Sequence, residues 1–176
     1  MDGILALRGS ESARISLSLG KETIVQSFNL LSDSIPGDVL PVPDDVEFAD
    51  GFFDQMEESL HLNPNKSVFG AHVTNRKHND DAVTLVRRQC IDERGFLFDP
   101  RFEHFFIDFE IGLWAKKRGA FLFCQNACLA HHHPGVSGEY DTTHSHRRMD
   151  KWHHDKAIWD SIRGILPAPR PATAQT

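Results

Sequence analysis

Hydrophobic and polar residues recur along this chain with two periods, and the changes of period divide it into short elements. Residues 15–19 alternate apolar and polar positions, which predicts a strand. Apolar residues at helical spacing predict a helix over 23–31. The other predicted elements are a strand at 39–42, a helix at 51–60 capped by Asp50, strands at 67–73 and 82–88, a helix at 109–118, a strand at 120–130 and a helix at 144–165. Strands and helices alternate, which favours an α/β fold.

Length and charge narrow the class of protein. With 176 residues, of which 40% are hydrophobic and 25% charged, the chain can form the core of one domain. We expect this domain to span residues 1–166 and the Pro/Ala-rich tail, 167–176, to be disordered. The formal net charge of −6 excludes a chain-wide basic surface, so nucleic acid is not an expected partner.

Cellular location is predicted from apolar segments and cysteines. No stretch approaches the roughly 18–20 apolar residues of a membrane-spanning helix, and residues 1–14 lack the apolar run of a signal peptide. The three cysteines, Cys90, Cys124 and Cys128, contain no Cys-x-x-Cys pair, so we interpret them as structural. These features favour a cytoplasmic protein.

Three groups of polar side chains stand at the ends of predicted elements. Asp44 and Asp45 follow the strand at 39–42, His131 follows the strand at 120–130, and Asp108 opens the helix between them. Active sites of α/β sheets lie at the carboxyl ends of strands, so these groups are candidates for one site. Carboxylates suit Mg²⁺ or Mn²⁺, and an imidazole suits Mn²⁺. The alternatives are an acidic surface turn for the first pair and a helix cap for Asp108.

The order of these segments resembles the inverting family 2 glycosyltransferases, which have the GT-A fold. The resemblance covers about residues 15–135. The segments that carry it are Gly-Asp-Val-Leu-Pro-Val-Pro-Asp-Asp-Val (37–46, the Asp-x-Asp strand), Arg-Arg (87–88) with Phe-Leu-Phe-Asp-Pro-Arg-Phe (96–102), Phe-Ile-Asp-Phe-Glu-Ile-Gly-Leu (106–113, the Glu-Asp motif) and Ala-Cys-Leu-Ala-His (127–131). Pro43 replaces the first aspartate of the former motif, and Ile107 the glutamate of the latter.

The resemblance implies an incomplete GT-A fold. It predicts a mixed sheet flanked by helices, with a C-terminal helix and without the N-terminal strand and helix that bind the nucleotide in this family. The implied reaction is metal-assisted transfer of a sugar, with inversion, from a nucleotide-diphosphate donor to a hydroxyl of a carbohydrate or other acceptor.

The resemblance also assigns roles to individual residues. Asp45 and His131 would hold Mn²⁺ or Mg²⁺, and Asp108 would be the catalytic base. Asp44, Asp45 and Asn29 would bind the donor. The acceptor side would be formed by Arg88, Phe106, Glu110 and Trp114. The alternative interpretation places the aromatic residues among these in the core, where such side chains usually lie.

Two other interpretations stay open. Seven of the 11 histidines lie after residue 130, near Asp141, Asp150 and Asp155, which would suit a metal-dependent hydrolase. Alternatively, the chain is a degenerate, non-catalytic GT-A-like domain that serves binding or assembly. A sheet without its first strand would expose an edge, and an exposed edge predicts a homo-oligomer.

Overall fold

The computed structural model of this chain describes residues 23–43, 45–75, 83–132 and 145–164, and for 145–148 it describes the backbone alone. Within these ranges the fold is mixed α/β, with five helices and one four-stranded sheet. In chain order the elements are α1 (Ile24–Asp33), β1 (Val46–Phe48), α2 (Phe52–Leu62), β2 (Val68–Val73), β3 (Thr84–Val86), α3 (Arg88–Arg94), α4 (Ile107–Lys117), β4 (Phe121–His131) and α5 (Ser145–Ile162).

The sheet has the order β1-β4-β2-β3 and mixes parallel with antiparallel pairs. β4 lies parallel to β2, whereas β1 is antiparallel to β4 and β3 is antiparallel to β2. The two edge strands have three residues each, and the edge at β3 is partly covered by a bridge between Val39 and Val86. A homo-oligomer formed through a sheet edge stays a prediction.

Helices cover both faces of the sheet, because alternate residues of the central strands belong to two separate hydrophobic clusters. On β2, Phe69 and Ala71 pack with Phe52 and Met56 of α2. Val68 points the other way and packs in the cluster that receives apolar side chains of α1, α3, α4 and α5. The fold thus has a helix–sheet–helix arrangement in which β4 and β2 are central.

Several helices lie close to where the sequence predicts them. α1 begins after Thr23, whose hydroxyl and Gln26 form a capping box, and α4 ends before Gly119, which has a φ of 65°. The prediction for α2 was right in position but wrong in its cap. The N-cap is Gly51 with a φ of 75°, not Asp50, since the chain enters this helix through the left-handed region. The short helix α3 was not predicted.

The predicted strand at 39–42 is wrong. Only Val39 pairs, through two backbone hydrogen bonds of 2.8 Å with Val86, and the sheet strand of this region is β1, four residues after 42. Pro41 and Pro43 carry no N–H and cannot continue a ladder beyond Val39. The strand predicted at 82–88 is also shorter, because α3 begins at Arg88.

Some predictions lie outside the described residues. These are the strand at 15–19 and the tail at 167–176. None of the described helices is long and apolar enough to cross a membrane.

Candidate functional site

Asp45 and His131 meet where two antiparallel strands begin and end. Asp45 directly precedes β1, and His131 is the last residue of β4, paired in register with Val46. The His131 Nε2 atom lies 3.0 Å from Asp45 Oδ1, and the Asp45 carbonyl accepts a hydrogen bond of 2.7 Å from the next backbone N–H, that of His132. The structure therefore brings together the two residues predicted as metal ligands.

Asn75 fixes the backbone of His131 from the neighbouring strand. Its amide nitrogen donates to the His131 carbonyl at 2.9 Å, and its amide oxygen accepts from the His131 N–H at 3.1 Å. Asn75 follows β2, which is parallel to β4, so the two strands end side by side. Sequence reasoning missed this role, because Asn75 stands in a polar turn where asparagine is ordinary.

The contact between Asp45 and His131 has the spacing of two ligands but not the alignment of a hydrogen bond. Asp45 Oδ1 is buried and has no hydrogen-bond partner among the described residues, although Nε2 lies 3.0 Å away. Two neighbouring ligands of an octahedral ion, each about 2.1 Å from the metal, are roughly 3.0 Å apart. An unpartnered buried carboxylate oxygen beside an imidazole nitrogen fits a divalent cation such as Mn²⁺.

These two side chains would form only part of a coordination shell. No group of three or more His, Cys, Asp or Glu side chains capable of holding a metal occurs among the described residues. Asp44, predicted to bind the donor, lies outside them. The other positions on a cation at Asp45 and His131 would thus be filled by water or by oxygen atoms of a ligand, which is how Mg²⁺ and Mn²⁺ usually bind phosphates.

A second acid–histidine pair, Glu47 and His132, lies close in sequence to the first pair and is exposed. Glu47 Oε2 lies 3.1 Å from His132 Nε2, and the two side chains are 76% and 58% exposed, compared with 26% for Asp45 and 8% for His131. The exposed pair makes an ordinary hydrogen bond. It therefore offers a matched comparison for the buried pair.

Asp108 stands in the first turn of α4, after a residue with strained backbone. Phe106, the N-cap, has a φ of 63° and is the one non-glycine residue with positive φ among those described. A bulky side chain in the left-handed region costs on the order of 1 kcal/mol or more, and such residues cluster at functional sites. The helix cap is thus Phe106 rather than Asp108, whose carboxylate lies half-buried in the first turn.

Asp155 of α5 holds the loop that leads into α4. Its carboxylate is fully buried and accepts three backbone hydrogen bonds, from the N–H groups of Glu103, His104 and Phe105, at 2.9, 2.8 and 2.7 Å. Both carboxylate oxygens are used by the loop, so this residue does not support the hydrolase interpretation that places Asp155 at a metal. Asp150 is exposed on the same helix, and Asp141 lies outside the described residues.

Aromatic rings of α4 and α5 pack around Phe106, next to the loop that Asp155 holds. Phe106 stacks on Trp159 with their ring centres 6.1 Å apart, and it also contacts Trp152 and Phe109. Phe109 is partly exposed. Phe106, predicted on the acceptor side, thus lies between α4 and α5 as part of the packing.

The two parts of the candidate site lie on different faces of the sheet. His131 shares the face of Ala127 and Leu129, on which α2 packs, whereas α4 packs on the opposite face. α4 runs antiparallel to β4, because only residues 118–120 join them, so Asp108 lies toward the end of the sheet where β4 finishes. An 11-residue helix spans about 16 Å and an 11-residue strand up to about 36 Å, so Asp108 stops short of the level of His131.

Asn29 and Arg88 use their polar atoms to join α1 to other parts of the chain. The Asn29 amide donates to the Phe98 carbonyl at 2.8 Å and accepts from its N–H at 2.9 Å. The Arg88 guanidinium donates to the Ser32 carbonyl at 2.7 Å, and the Arg88 backbone N–H donates to the Asp38 carboxylate at 2.9 Å. The donor role of Asn29 and the acceptor role of Arg88 stay predictions, and each residue has a structural role that the sequence did not reveal.

Glu110 and Trp114 lie in the interior with Arg94. The Arg94 and Glu110 side chains are 2% and 5% exposed and form an ion pair of 2.5 Å. Burial raises the pKa of Glu110, and the attraction of Arg94 opposes that rise. The guanidinium carbons of Arg94 and Arg118 lie 5.2 and 4.1 Å from the centre of the Trp114 ring. The acceptor roles of Glu110 and Trp114 stay predictions. The buried position of Trp114 agrees with the alternative interpretation, which places the aromatic residues in the core.

Asp99 forms an ion pair with Arg101 in which two guanidinium nitrogens contact the carboxylate. This pair predicts how the stability of the fold depends on acid. Burial opposes ionisation of Asp99, but hydrogen bonds and charge attraction from Arg101 outweigh it and hold its pKa below the ordinary value. A carboxyl with a lowered pKa in the folded state stabilises the fold above its unfolded pKa, and this stabilisation is lost as the pH falls. Asp99→Asn should therefore lower stability at neutral pH and flatten its decline below about pH 4.

The check on Asp99 is urea unfolding at a series of pH values. Arg101→Gln removes the charge and the guanidinium hydrogen bonds that lower the pKa of Asp99, while the backbone hydrogen bond of residue 101 remains, so it should flatten the acid limb in part. An acid limb as steep in Asp99→Asn as in the parent chain would contradict the assignment.

No family model, curated protein or solved structure matches this chain. The resemblance to family 2 glycosyltransferases therefore stays a prediction from the sequence motifs. The geometry of Asp45, His131 and Asn75 stands independently of it.

Proposed function

We propose that this chain binds a nucleotide-diphosphate sugar through a divalent cation at Asp45 and His131 and transfers the sugar, with inversion, to an acceptor hydroxyl. The observation that carries the proposal is the Asp45–His131 contact. A buried carboxylate oxygen that has no hydrogen-bond partner within the described part of the chain lies 3.0 Å from an imidazole nitrogen, where β1 begins and β4 ends. This donor pair suits Mn²⁺, and Mg²⁺ is the other candidate.

Each residue has a distinct task in this proposal. Asp45 and His131 would hold the cation, which when bound offsets negative charge on the diphosphate leaving group. Asn75 keeps the His131 backbone in place through its two hydrogen bonds. The resemblance assigns Asp108 as the general base that accepts the proton of the attacking hydroxyl, but Asp108 lies on the other face of the sheet, so the donor-binding part of the proposal rests on Asp45 and His131 alone. Attack from the side opposite the leaving group gives inversion at the sugar carbon.

The loop before α4 would orient Asp108. Asp155 fixes residues 103–105 by three hydrogen bonds, and Phe106 turns the chain into the helix through its positive φ. A general base must lie within hydrogen-bond reach of the proton that it accepts, so a rigid approach to Asp108 favours this role.

The test is calorimetric titration of the chain with UDP, GDP and dTDP, each with and without Mn²⁺. We expect saturable binding of at least one nucleotide with Mn²⁺ and weaker or no binding without it, because a cation held by Asp45 and His131 would offset the negative charge of the diphosphate. Mg²⁺ in place of Mn²⁺ tests how far the imidazole ligand favours manganese. An absence of binding heat for all three nucleotides with Mn²⁺ would overturn the proposed function and favour the non-catalytic interpretation.

A further inference from the structure

A thiol, an imidazole nitrogen and a carbonyl oxygen meet on β2 and β4, away from the Asp45–His131 pair. Cys128 Sγ lies 3.7 Å from His72 Nδ1 and 3.5 Å from the Gln125 carbonyl oxygen. His72 Nδ1 lies 3.1 Å from the same oxygen. The three atoms thus form a triangle in which each pair is in contact.

A bulge in β4 creates this triangle. Ala71 pairs with Cys124 but the next residue, His72, pairs with Cys128, so three residues of β4 are inserted between successive pairs. The insertion turns the Gln125 carbonyl out of the ladder and toward His72 and Cys128. Bulges commonly re-aim side chains and occur next to functional sites.

The three interatomic distances of the triangle match one face of a tetrahedral zinc site. Zinc binds sulfur at about 2.3 Å and nitrogen or oxygen at about 2.1 Å, which places tetrahedral ligands about 3.4–3.6 Å apart. The observed separations of 3.7, 3.5 and 3.1 Å differ from these by no more than about 0.3 Å. We propose that Cys128, His72 and the Gln125 carbonyl form a binding site for Zn²⁺, with the fourth position open to water.

The chemistry of the donors separates this site from the Asp45–His131 pair. A thiolate and an imidazole favour Zn²⁺, whereas a carboxylate and phosphate oxygens favour Mn²⁺ or Mg²⁺. On binding, the Cys128 thiol loses its proton to solvent and His72 takes the tautomer with its proton on Nε2. One proton is therefore released per zinc bound, and acid weakens binding.

Cys128 is suited to this role and the other two cysteines are not. Cys128 and His72 are half-buried, so the triangle is open to solvent on one side. Cys90 and Cys124 are buried, and burial raises the pKa of both thiols, that of Cys90 to about 11. Among the described residues, Cys90 and Cys124 form hydrogen bonds with the side chains of Ser67 and Ser59, not with an imidazole. The chain thus contains a matched control for thiol binding.

The zinc site would lie on the same two strands as the candidate metal site for the diphosphate. His72 lies three residues before Asn75, and Cys128 lies three residues before His131. The Asn75 side-chain amide is hydrogen-bonded to the His131 backbone. Three strand residues span about 10 Å. Zinc would therefore join β2 to β4 close to their ends, and we expect it to raise the melting temperature through preferential binding to the folded state.

The experiment is a titration of the reduced, metal-free chain with Co²⁺ and then Zn²⁺. A cobalt–thiolate bond gives a near-ultraviolet charge-transfer absorption. Binding of Co²⁺ by histidines alone does not give this absorption, so it reports only a site that contains a cysteine. We expect this absorption to saturate at one equivalent of Co²⁺ and to disappear on addition of Zn²⁺. Cys128→Ser should abolish it, His72→Gln should weaken Co²⁺ binding by at least about tenfold, and Cys124→Ala should retain it.

The outcomes decide between a metal site and a set of hydrogen bonds. Circular dichroism melting shows whether each variant is folded, and protection of Cys128 from alkylation by Zn²⁺ gives a second measure. An absent thiolate absorption in the parent chain, or one that persists in Cys128→Ser, would overturn the proposal. The absorption should also persist in Asp45→Ala, so the outcome is independent of the proposed nucleotide binding.

Discussion

Replacing Asp155 with alanine should destabilise the fold by about 3 kcal/mol or more. The carboxylate is fully buried and accepts three backbone hydrogen bonds from residues 103–105. Each of these half-buried donors that is left without a partner costs about 1 kcal/mol, at the low end of the range for buried donors. Since domains are stable by only about 5–15 kcal/mol, the loss should be large in urea unfolding followed by circular dichroism.

A matched control lies on the same helix. Asp150 is exposed on α5, so Asp150→Ala should change stability by no more than about 0.5 kcal/mol. Asp155→Asn should fall between the two, because its amide retains one acceptor oxygen but directs N–H groups toward the loop donors. Equal stabilities for Asp155→Ala and Asp150→Ala would show that the three hydrogen bonds do not hold the loop.

Asp45→Ala should reduce the Mn²⁺-dependent affinity for a nucleotide diphosphate by more than about tenfold while leaving the fold stable. The first effect follows because the variant loses one of two protein ligands, and even indirect supports of a metal site contribute about 10–100-fold. The second follows because Asp45 Oδ1 accepts no hydrogen bond from the described residues, so the variant loses none at this atom. Calorimetry measures the affinity, and thermal unfolding measures the stability.

The exposed pair supplies the control for this comparison. Glu47→Ala and His132→Ala remove an acid and a histidine at neighbouring positions and should leave nucleotide affinity unchanged. His131→Ala should weaken affinity as Asp45→Ala does. If the four variants weakened binding equally, the effect would arise from general charge near β1 rather than from coordination at Asp45 and His131.

The helices were more predictable from the sequence than the strands. Helices α1, α2, α4 and α5 lie within a few residues of their predicted positions, and for α1 and α2 the prediction came from apolar residues at helical spacing. The strand predicted at 39–42 was wrong. The run of apolar residues favoured a strand, but Pro41 and Pro43 have no N–H to donate to a neighbouring strand. The seven-residue helix α3 is too short for its period to be recognised.

The meeting of Asp45 with His131 was predicted, but through a different topology. We expected both to follow strands, whereas Asp45 precedes β1 and meets the end of β4 because the two strands are antiparallel. Asp155 could have been found from its spacing. It lies among Trp152, Trp159 and Ile162 at intervals of three and four residues, and a carboxylate on an apolar helix face needs a buried partner. Which backbone groups it binds depends on tertiary structure.

The hydrogen bonds of Asp155 also set an order of events during synthesis of the chain. The carboxylate lies 50–52 residues after the three N–H groups that it accepts from, so these groups have no such partner until α5 has been made. Contacts over long separations form late, because the cost of closing the loop comes before the gain from the contact. A ribosome-bound chain that ends before α5 should therefore leave the 103–106 segment open to proteases, although β1, β2 and β4 have already been synthesised.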